Sequence, residues 1–190
     1  MTGRVRVAFT LVVLAFADAC SGDPGETRAA LHEPPFVAFD GGGSSFLPVA
    51  RTLDQHCGTI DCHGQVGRNL RLYGSFGMRL AETDTPGCPT DVTAAEAEAD
   101  YWTVVGLEPE MTATVYAERG GRPERLTVVQ KARGAQAHKG GTVFPKGSDG
   151  DACLVSFFSG AVDAPSCNNS QRQNGEIPVP LCTPKPGSSP

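Results

Sequence analysis

Apolar residues recur at helical spacing in four segments of the central part of the chain. The first predicted helix, 45–57, has four apolar residues on one face: Phe46, Val49, Ala50 and Leu53. Ser44 or Ser45 is the expected N-cap, and Pro48 falls in the first turn, where a proline is tolerated. This segment leads directly into the cysteine-rich stretch considered below.

The second predicted helix covers 91–106, with Thr90 or Asp91 as the cap and Gly106 at its end. Its spacing predicts one apolar face made of Ala95, Ala99, Trp102 and Val105. We therefore expect Trp102 to belong to the core.

Two further helices are predicted over 122–134 and 148–160. The first has Pro123 at its start, Gly134 at its end, and the inward positions Leu126, Val129 and Gln130. The second ends at Gly160 and has an apolar side of Cys153, Leu154, Phe157 and Phe158. The segment 111–119 alternates threonine and apolar residues, and both strand and helix remain open for it.

These elements indicate a small, mainly α domain with long loops. The 190 residues include 23 glycines and 15 prolines, a high share for a compact helical protein, and aromatic residues are only 7%. The net charge of −5 argues against a nucleic-acid partner, because phosphate binding needs a basic patch.

The first twenty residues have the order of a secretory signal. Arg4 and Arg6 precede an apolar run over 7–16, too short to span a bilayer as a stable helix, and small residues follow it. We expect 1–19 to be a signal peptide and the protein to be exported. Cys20 resembles the lipidated cysteine of bacterial lipoproteins, which would anchor the protein to a membrane, facing the periplasm or the cell surface. Simple cleavage, leaving a free Cys20 thiol, is the alternative.

The rest of the chain divides into a tether, a domain and a tail. Residues 20–43 contain a Pro-Pro pair, a glycine run and no sustained period, which predicts a flexible tether. The domain is predicted over 44–167. Residues 168–190 are polar and rich in proline, so an irregular tail is expected there.

A cysteine pair followed by a histidine stands at 57–64, with the sequence CGTIDCHG. Covalent haem attachment uses two thiols and a histidine directly after the second, most often as C-x-x-C-H. Here four residues separate Cys57 from Cys62, and His63 follows. A Cys57–Cys62 disulfide loop is one alternative, and a zinc site completed by His138 is another.

The residues around this motif resemble the planctomycete-type cytochrome c domains of large exported bacterial proteins. Ten positions in the first half carry the likeness: Phe46, Val49, Leu53, Cys57, Cys62, His63, Gly64, Gly67, Leu70 and Leu72. In the second half it rests on Lys131, His138, Gly140, Gly141 and the segment 153–160. The sequence departs from the family in its long cysteine spacing, in Arg125 where a small hydroxyl residue is usual, and in its additional cysteines.

The resemblance implies a small cytochrome c-like helical domain with a covalent haem c. Cys57 and Cys62 would hold the haem, and His63 would bind its iron. The family's H-x-G-G falls at His138, the expected distal ligand, with Met111 as the alternative. The implied function is extracytoplasmic electron transfer to a redox protein partner, without enzymatic activity. A haem-free, disulfide-knit surface lipoprotein that acts as a binding or structural module is the alternative.

Seven cysteines cannot all pair, and an exported chain lies where disulfides persist. Lipidation of Cys20 would leave six, and haem attachment would leave four for two disulfides. The short turn between Cys153 and Cys167 predicts that these two pair. Cys88–Cys182 would then be the second disulfide.

Overall fold

The computed structural model describes residues 46–82 and 91–172. Within these ranges the chain forms six α-helices: α1 Leu47–Cys57, α2 Ala94–Gly106, α3 Pro109–Ala117, α4 Thr127–Ala132, α5 Asp149–Phe158 and α6 Ala164–Arg172. A 3-10 turn, Pro123–Arg125, precedes α4. The same ranges contain no strand beyond an isolated bridge between Tyr73 and Met78. The prediction of a mainly helical chain is confirmed.

The core lies where α1 meets α2, α5 and α6. Phe46, Tyr101 and Phe157 stack edge to face at its centre, with ring centroids 4.8 to 5.8 Å apart. Helices α5 and α6 pack side by side and are joined by the Cys153–Cys167 disulfide. This pairing confirms one of the two predicted disulfides.

The first two helices begin two and three residues later than the predicted starts at 45 and 91. Helix α1 begins after Phe46, whose side chain makes no capping hydrogen bond, and Pro48 lies in its first turn as expected. Helix α2 begins after Thr93 rather than Thr90 or Asp91. The hydroxyl of Thr93 accepts a hydrogen bond from the Glu96 amide while the Glu96 carboxylate accepts one from the Thr93 amide, a reciprocal capping box.

The predicted inward face of α2 is confirmed at Val105 and is wrong at Ala95 and Trp102. Trp102 is 50% exposed, whereas Tyr101 is buried. The buried side contains two acids, Glu96 and Asp100, which an apolar pattern assigns to the surface. Glu96 is inside because Arg79 donates two hydrogen bonds to its carboxylate, at 2.7 and 2.9 Å.

Two other segments differ from their predictions. A third, for which the sequence allows either strand or helix, is helical. The predicted helix 122–134 is divided at Leu126, whose backbone is extended, and α4 starts at Thr127 with the Glu108 carboxylate accepting from its amide at 2.7 Å. Helix α6 includes residues 168–172, which the sequence analysis assigned to the irregular tail. The open segment 111–119 lies largely within helix α3.

Several predictions concern residues that the structure does not describe. These are the signal peptide 1–19, Cys20, the tether 20–43, the caps Ser44 and Ser45, the Cys88–Cys182 pair and the tail from 173 onward. Within the described part of the chain, none of the helices has the length and apolar character needed to cross a membrane.

Candidate functional site

The chain turns tightly after α1 and brings both cysteines of the motif to one wall. The His63 amide donates to the Cys57 carbonyl at 3.0 Å, and the Cys62 amide donates to the Thr59 carbonyl at 2.9 Å. Cys57 and Cys62 are both free thiols that line the same cavity. Burial, with a smaller contribution from the nearby Cys62, raises the pKa of the Cys57 thiol to about 12. The alternative of a Cys57–Cys62 disulfide is therefore not what the structure contains.

A glycine must follow His63 for this turn to close. A Cβ at Gly64 would lie 1.8 Å from the Gly58 carbonyl oxygen and 2.7 Å from the Gly77 Cα. The backbone segments at Gly58, Gly64 and Gly77 are in direct contact there, and no side chain would fit between them. The glycine of the Cys-His-Gly sequence therefore has a steric reason in this fold.

The imidazole of His63 has a fixed orientation. Its Nδ1 lies 2.8 Å from the Leu70 carbonyl oxygen. A carbonyl only accepts, so Nδ1 carries the proton and Nε2 presents its lone pair. The Leu70 segment is itself held, because the Leu72 amide donates to the His63 carbonyl at 2.9 Å. This is the arrangement that proteins use to orient a metal-binding histidine.

Two buried aspartates hold the outer part of the same loop. Asp54 of α1 accepts hydrogen bonds from the amide and hydroxyl of Ser75 at 3.0 and 3.1 Å. Asp100 of α2 accepts one from the Tyr73 amide at 2.7 Å, and its second oxygen, Oδ2, is buried and has no hydrogen-bond partner among residues 46–82 and 91–172. Burial is the main cause that raises the pKa of Asp54 to about 6 and that of Asp100 to about 8.

Beyond the motif lie two adjoining cavities, of about 210 and 200 Å³, which we call the haem-motif cleft. Five residues line both cavities: Cys57, His63, Lys131, His138 and Val143. The deeper walls are apolar, formed by Leu53, Leu70, Leu107, Val128, Ala132 and Leu154. The other cavity is bordered by charged side chains: Asp61, Arg68 and Lys139. An apolar interior with a few convergent polar groups is typical of a cofactor site.

His138 reaches this cleft from a loop between α4 and α5. The loop is closed at its base, where the Ala132 carbonyl accepts from the amides of Val143 and Phe144 at 2.9 and 2.8 Å. Nδ1 of His138 is buried and has no hydrogen-bond partner among the described residues. Partial burial lowers the pKa of His138, and the nearby Lys131 and His63 also lower it. This charge effect agrees with the shared cavity in bringing the two histidines together.

Met111, the alternative ligand, lies elsewhere. It is on α3 and lines a separate open depression with Glu108, Pro109 and Thr114. Its side chain is 36% exposed. Of the two candidate distal ligands, His138 is the one that shares the cleft with His63.

The zinc alternative finds no support in the geometry. Across 46–82 and 91–172, no three histidine, cysteine or acidic side chains are grouped closely enough to hold a metal ion. Structural zinc sites need four such ligands.

Some residues that shape the site were not identified from the sequence. Asp54 and Asp100 hold the His63 loop, and the Arg133–Asp151 ion pair, at 2.6 Å, ties the start of the His138 loop to α5. Their only signal is an acid or base within a helical segment. The partner is far along the chain in each case, so local spacing does not reveal it.

Comparisons of this chain with protein families, with curated proteins and with solved structures gave no match.

Proposed function

We propose that the protein is an extracytoplasmic c-type haem protein that transfers electrons, with the haem held in the haem-motif cleft. One observation carries the proposal. The free thiols of Cys57 and Cys62 and the imidazoles of His63 and His138 line one cavity, which continues between apolar walls. The proposal also includes a cytochrome c-like fold for the helical domain.

The donor set suits a covalently attached haem. Two thiols would form the thioether bonds, and the oriented His63, with its free Nε2, would be the proximal ligand. His138 would be the distal ligand, because it lines the same cavity as His63. The bound haem would supply an iron that exchanges one electron between its ferrous and ferric states.

The chain's own groups then set how such a site behaves. The Leu70 carbonyl accepts a hydrogen bond from His63 Nδ1, which would leave Nε2 available to bind the metal. Leu53, Val128 and Leu154 exclude water from the cleft. Arg68, Lys131 and Lys139 offer cationic partners for the carboxylates of the group.

An absorption spectrum tests the proposal directly. Protein matured by a host that attaches haem should give an intense Soret band that stays with the protein after acid–acetone extraction. Cys62→Ala removes one attachment thiol and should make part of the haem extractable, whereas Cys153→Ala, a buried cysteine outside the cleft, should not. A protein without any Soret band would contradict the proposal and favour the haem-free surface lipoprotein.

The distal ligand is tested by a matched pair of variants. His138→Ala should turn a low-spin ferric spectrum into a high-spin one, because an axial nitrogen is lost. Met111→Ala should leave the spectrum unchanged, because its side chain lies in another depression. The opposite result would make Met111 the ligand.

The proposal includes a membrane anchor at Cys20, which would leave the haem domain on the outer side of a membrane and within reach of a redox protein partner. Cys20→Ser should move the protein from the membrane fraction to the soluble fraction. An unmodified N-terminal Cys20 in the intact mass of native protein would contradict the anchor without affecting the haem.

A further inference from the structure

The two histidines of the cleft are held very differently. His63 has its Nδ1 bound to the Leu70 carbonyl at 2.8 Å. Nδ1 of His138 is buried with no partner in the described part of the chain. Loss of such an orienting hydrogen bond typically lowers the metal affinity of a histidine about 10- to 100-fold. Of the two, His138 is therefore the weaker ligand.

The loop that carries His63 is also held by more backbone hydrogen bonds than the loop that carries His138. The His63 loop is cross-linked, since Leu72 donates to the His63 carbonyl and Met78 to the Gly64 carbonyl, both at 2.9 Å. The His138 loop, 134–142, is exposed at every residue except His138 itself. Within the described ranges, no backbone carbonyl accepts from the amides of 137–140. Segments with few buried contacts and few backbone hydrogen bonds open at low free-energy cost.

The ring of His138 also has a place to rest within its own loop. A Cβ on Gly140 would approach Nε2 of His138 to 2.8 Å, so the imidazole lies directly against this glycine. Gly134 and Gly141 adopt positive φ angles of 72° and 64°, which allow the chain to turn at both ends of the loop. Lys139 Nζ lies 3.5 Å from the Asp61 carbonyl oxygen and links this loop to the opposite wall of the cleft.

We propose that His138 is an exchangeable ligand, and that a small neutral diatomic molecule binds the ferrous iron on that side in its place. The inference rests on the proposed function, because it needs haem in the cleft. In the exchange, the bond between the iron and His138 Nε2 would break and one between the iron and the diatomic molecule would form. No electron or proton is transferred. Although Lys131 also lines this cavity, most of its lining side chains are apolar, and these favour a neutral ligand over a charged one that would lose its hydration.

Carbon monoxide is the probe for the test. Reduced protein mixed with carbon monoxide should show a shifted Soret band, at a rate that levels off as the gas concentration rises because departure of His138 becomes limiting. In His138→Ala the rate should be faster and proportional to the concentration. Met111→Ala, the control, should behave like the unaltered protein.

Haem-bearing protein whose spectrum does not respond to saturating carbon monoxide would overturn the inference and leave the proposed function standing. Equal rates in the unaltered protein and His138→Ala would also overturn it. Protein that lacks the haem bands altogether would overturn the proposed function, and this inference with it.

Amide hydrogen exchange provides a second readout that does not use a ligand. The amides of 137–140 should exchange at least tenfold faster than those of His63 and Leu72, which are hydrogen-bonded. Equal protection of both loops would mean that His138 is as firmly held as His63, which contradicts the inference.

Discussion

Asp100 should be a neutral acid at pH 7, and replacing it by asparagine should reveal this. Its carboxyl group is fully buried on α2, with Oδ1 accepting from the Tyr73 amide and Oδ2 without a partner among the described residues. Burial is the main reason that its pKa rises to about 8, and the charges of Asp54 and Glu96 add to the effect. Asp100→Asn keeps the acceptor for Tyr73 and fixes the uncharged form.

The magnitude follows from proton linkage. Between pH 5 and pH 7 the unfolded chain has lost the Asp100 proton, since the ordinary pKa is 3.8, whereas the folded protein retains it. The folded state then holds one proton more, so its stability falls as the pH rises, by about 1.4 kcal/mol per pH unit. The asparagine variant has no proton to lose at this position, so its stability does not fall with pH for this reason. Its stability relative to the unaltered protein should improve by about 3 kcal/mol over these two units.

Urea unfolding at pH 5, 6 and 7 measures the difference. Asp54, Glu96 and Arg79 are present in both proteins, so their own pH dependence largely cancels. Asp61→Asn removes an exposed carboxylate and controls for the change in net charge. If the difference between Asp100→Asn and the unaltered protein is the same at all three pH values, Asp100 is not protonated in the fold and the reasoning is refuted.

Three further changes test the packing. Cys153→Ala, which opens the disulfide across a separation of 14 residues, should cost roughly 3 kcal/mol of unfolding free energy, and a loss below about 1 kcal/mol by urea titration would contradict this. Glu96→Gln removes the carboxylate charge that accepts two hydrogen bonds from the buried Arg79 and should cost about 3 kcal/mol; thermal melting near that of the unaltered protein would argue against it. Trp102→Ala should cost about 1–2 kcal/mol, less than truncation of a fully buried aromatic residue, because Trp102 is 50% exposed and packs edge to face on Tyr101; a loss above about 3 kcal/mol would mean that it is covered in solution.

Helix α1 and the disulfide could be predicted because their information is local. In α1 the residues Phe46, Val49 and Leu53 are all buried, as their spacing requires. Cys153 and Cys167 are close in the sequence, and only a short turn separates their helices. Both features depend on fewer than about twenty consecutive residues.

Helix α6 could not be predicted because local spacing carries no signal for it. Its sequence, APSCNNSQR, is almost entirely polar. It is held by the disulfide at Cys167, by Ser170, whose hydroxyl lies 3.2 Å from His56 Nε2, and by Gln171, which donates to the Pro48 carbonyl at 3.3 Å. These partners lie on α1 and α5, so the helix depends on tertiary contacts.

The buried face of α2 was misjudged for a related reason. An apolar pattern does not include Glu96 and Asp100, which are buried, and it favours a face that contains Trp102. Their partners, Arg79 and the Tyr73 amide, are 17 and 27 residues away, on the loop that carries His63. Buried acids whose partners come from a distant loop cannot be recognised from helical periodicity.

The sequence pointed to the residues that line the candidate site, but not to the hydrogen bonds that hold these residues in place. His63 and His138 are 75 residues apart in the sequence, and they line one cleft with Cys57 and Cys62. The family resemblance singled out these four residues. The hydrogen bond from His63 to Leu70 and the missing one at His138 depend on loop geometry, which only coordinates reveal.

The central claim is that Cys57 and Cys62 hold a haem, and peptide mapping under non-reducing conditions tests it most directly. Protein matured in a host with haem-attachment enzymes would be digested without reductant and the peptide containing residues 57–63 weighed. The account predicts that this peptide carries the mass of one haem and retains visible absorption. A peptide without haem, with Cys57 and Cys62 joined to each other or both free, would contradict it.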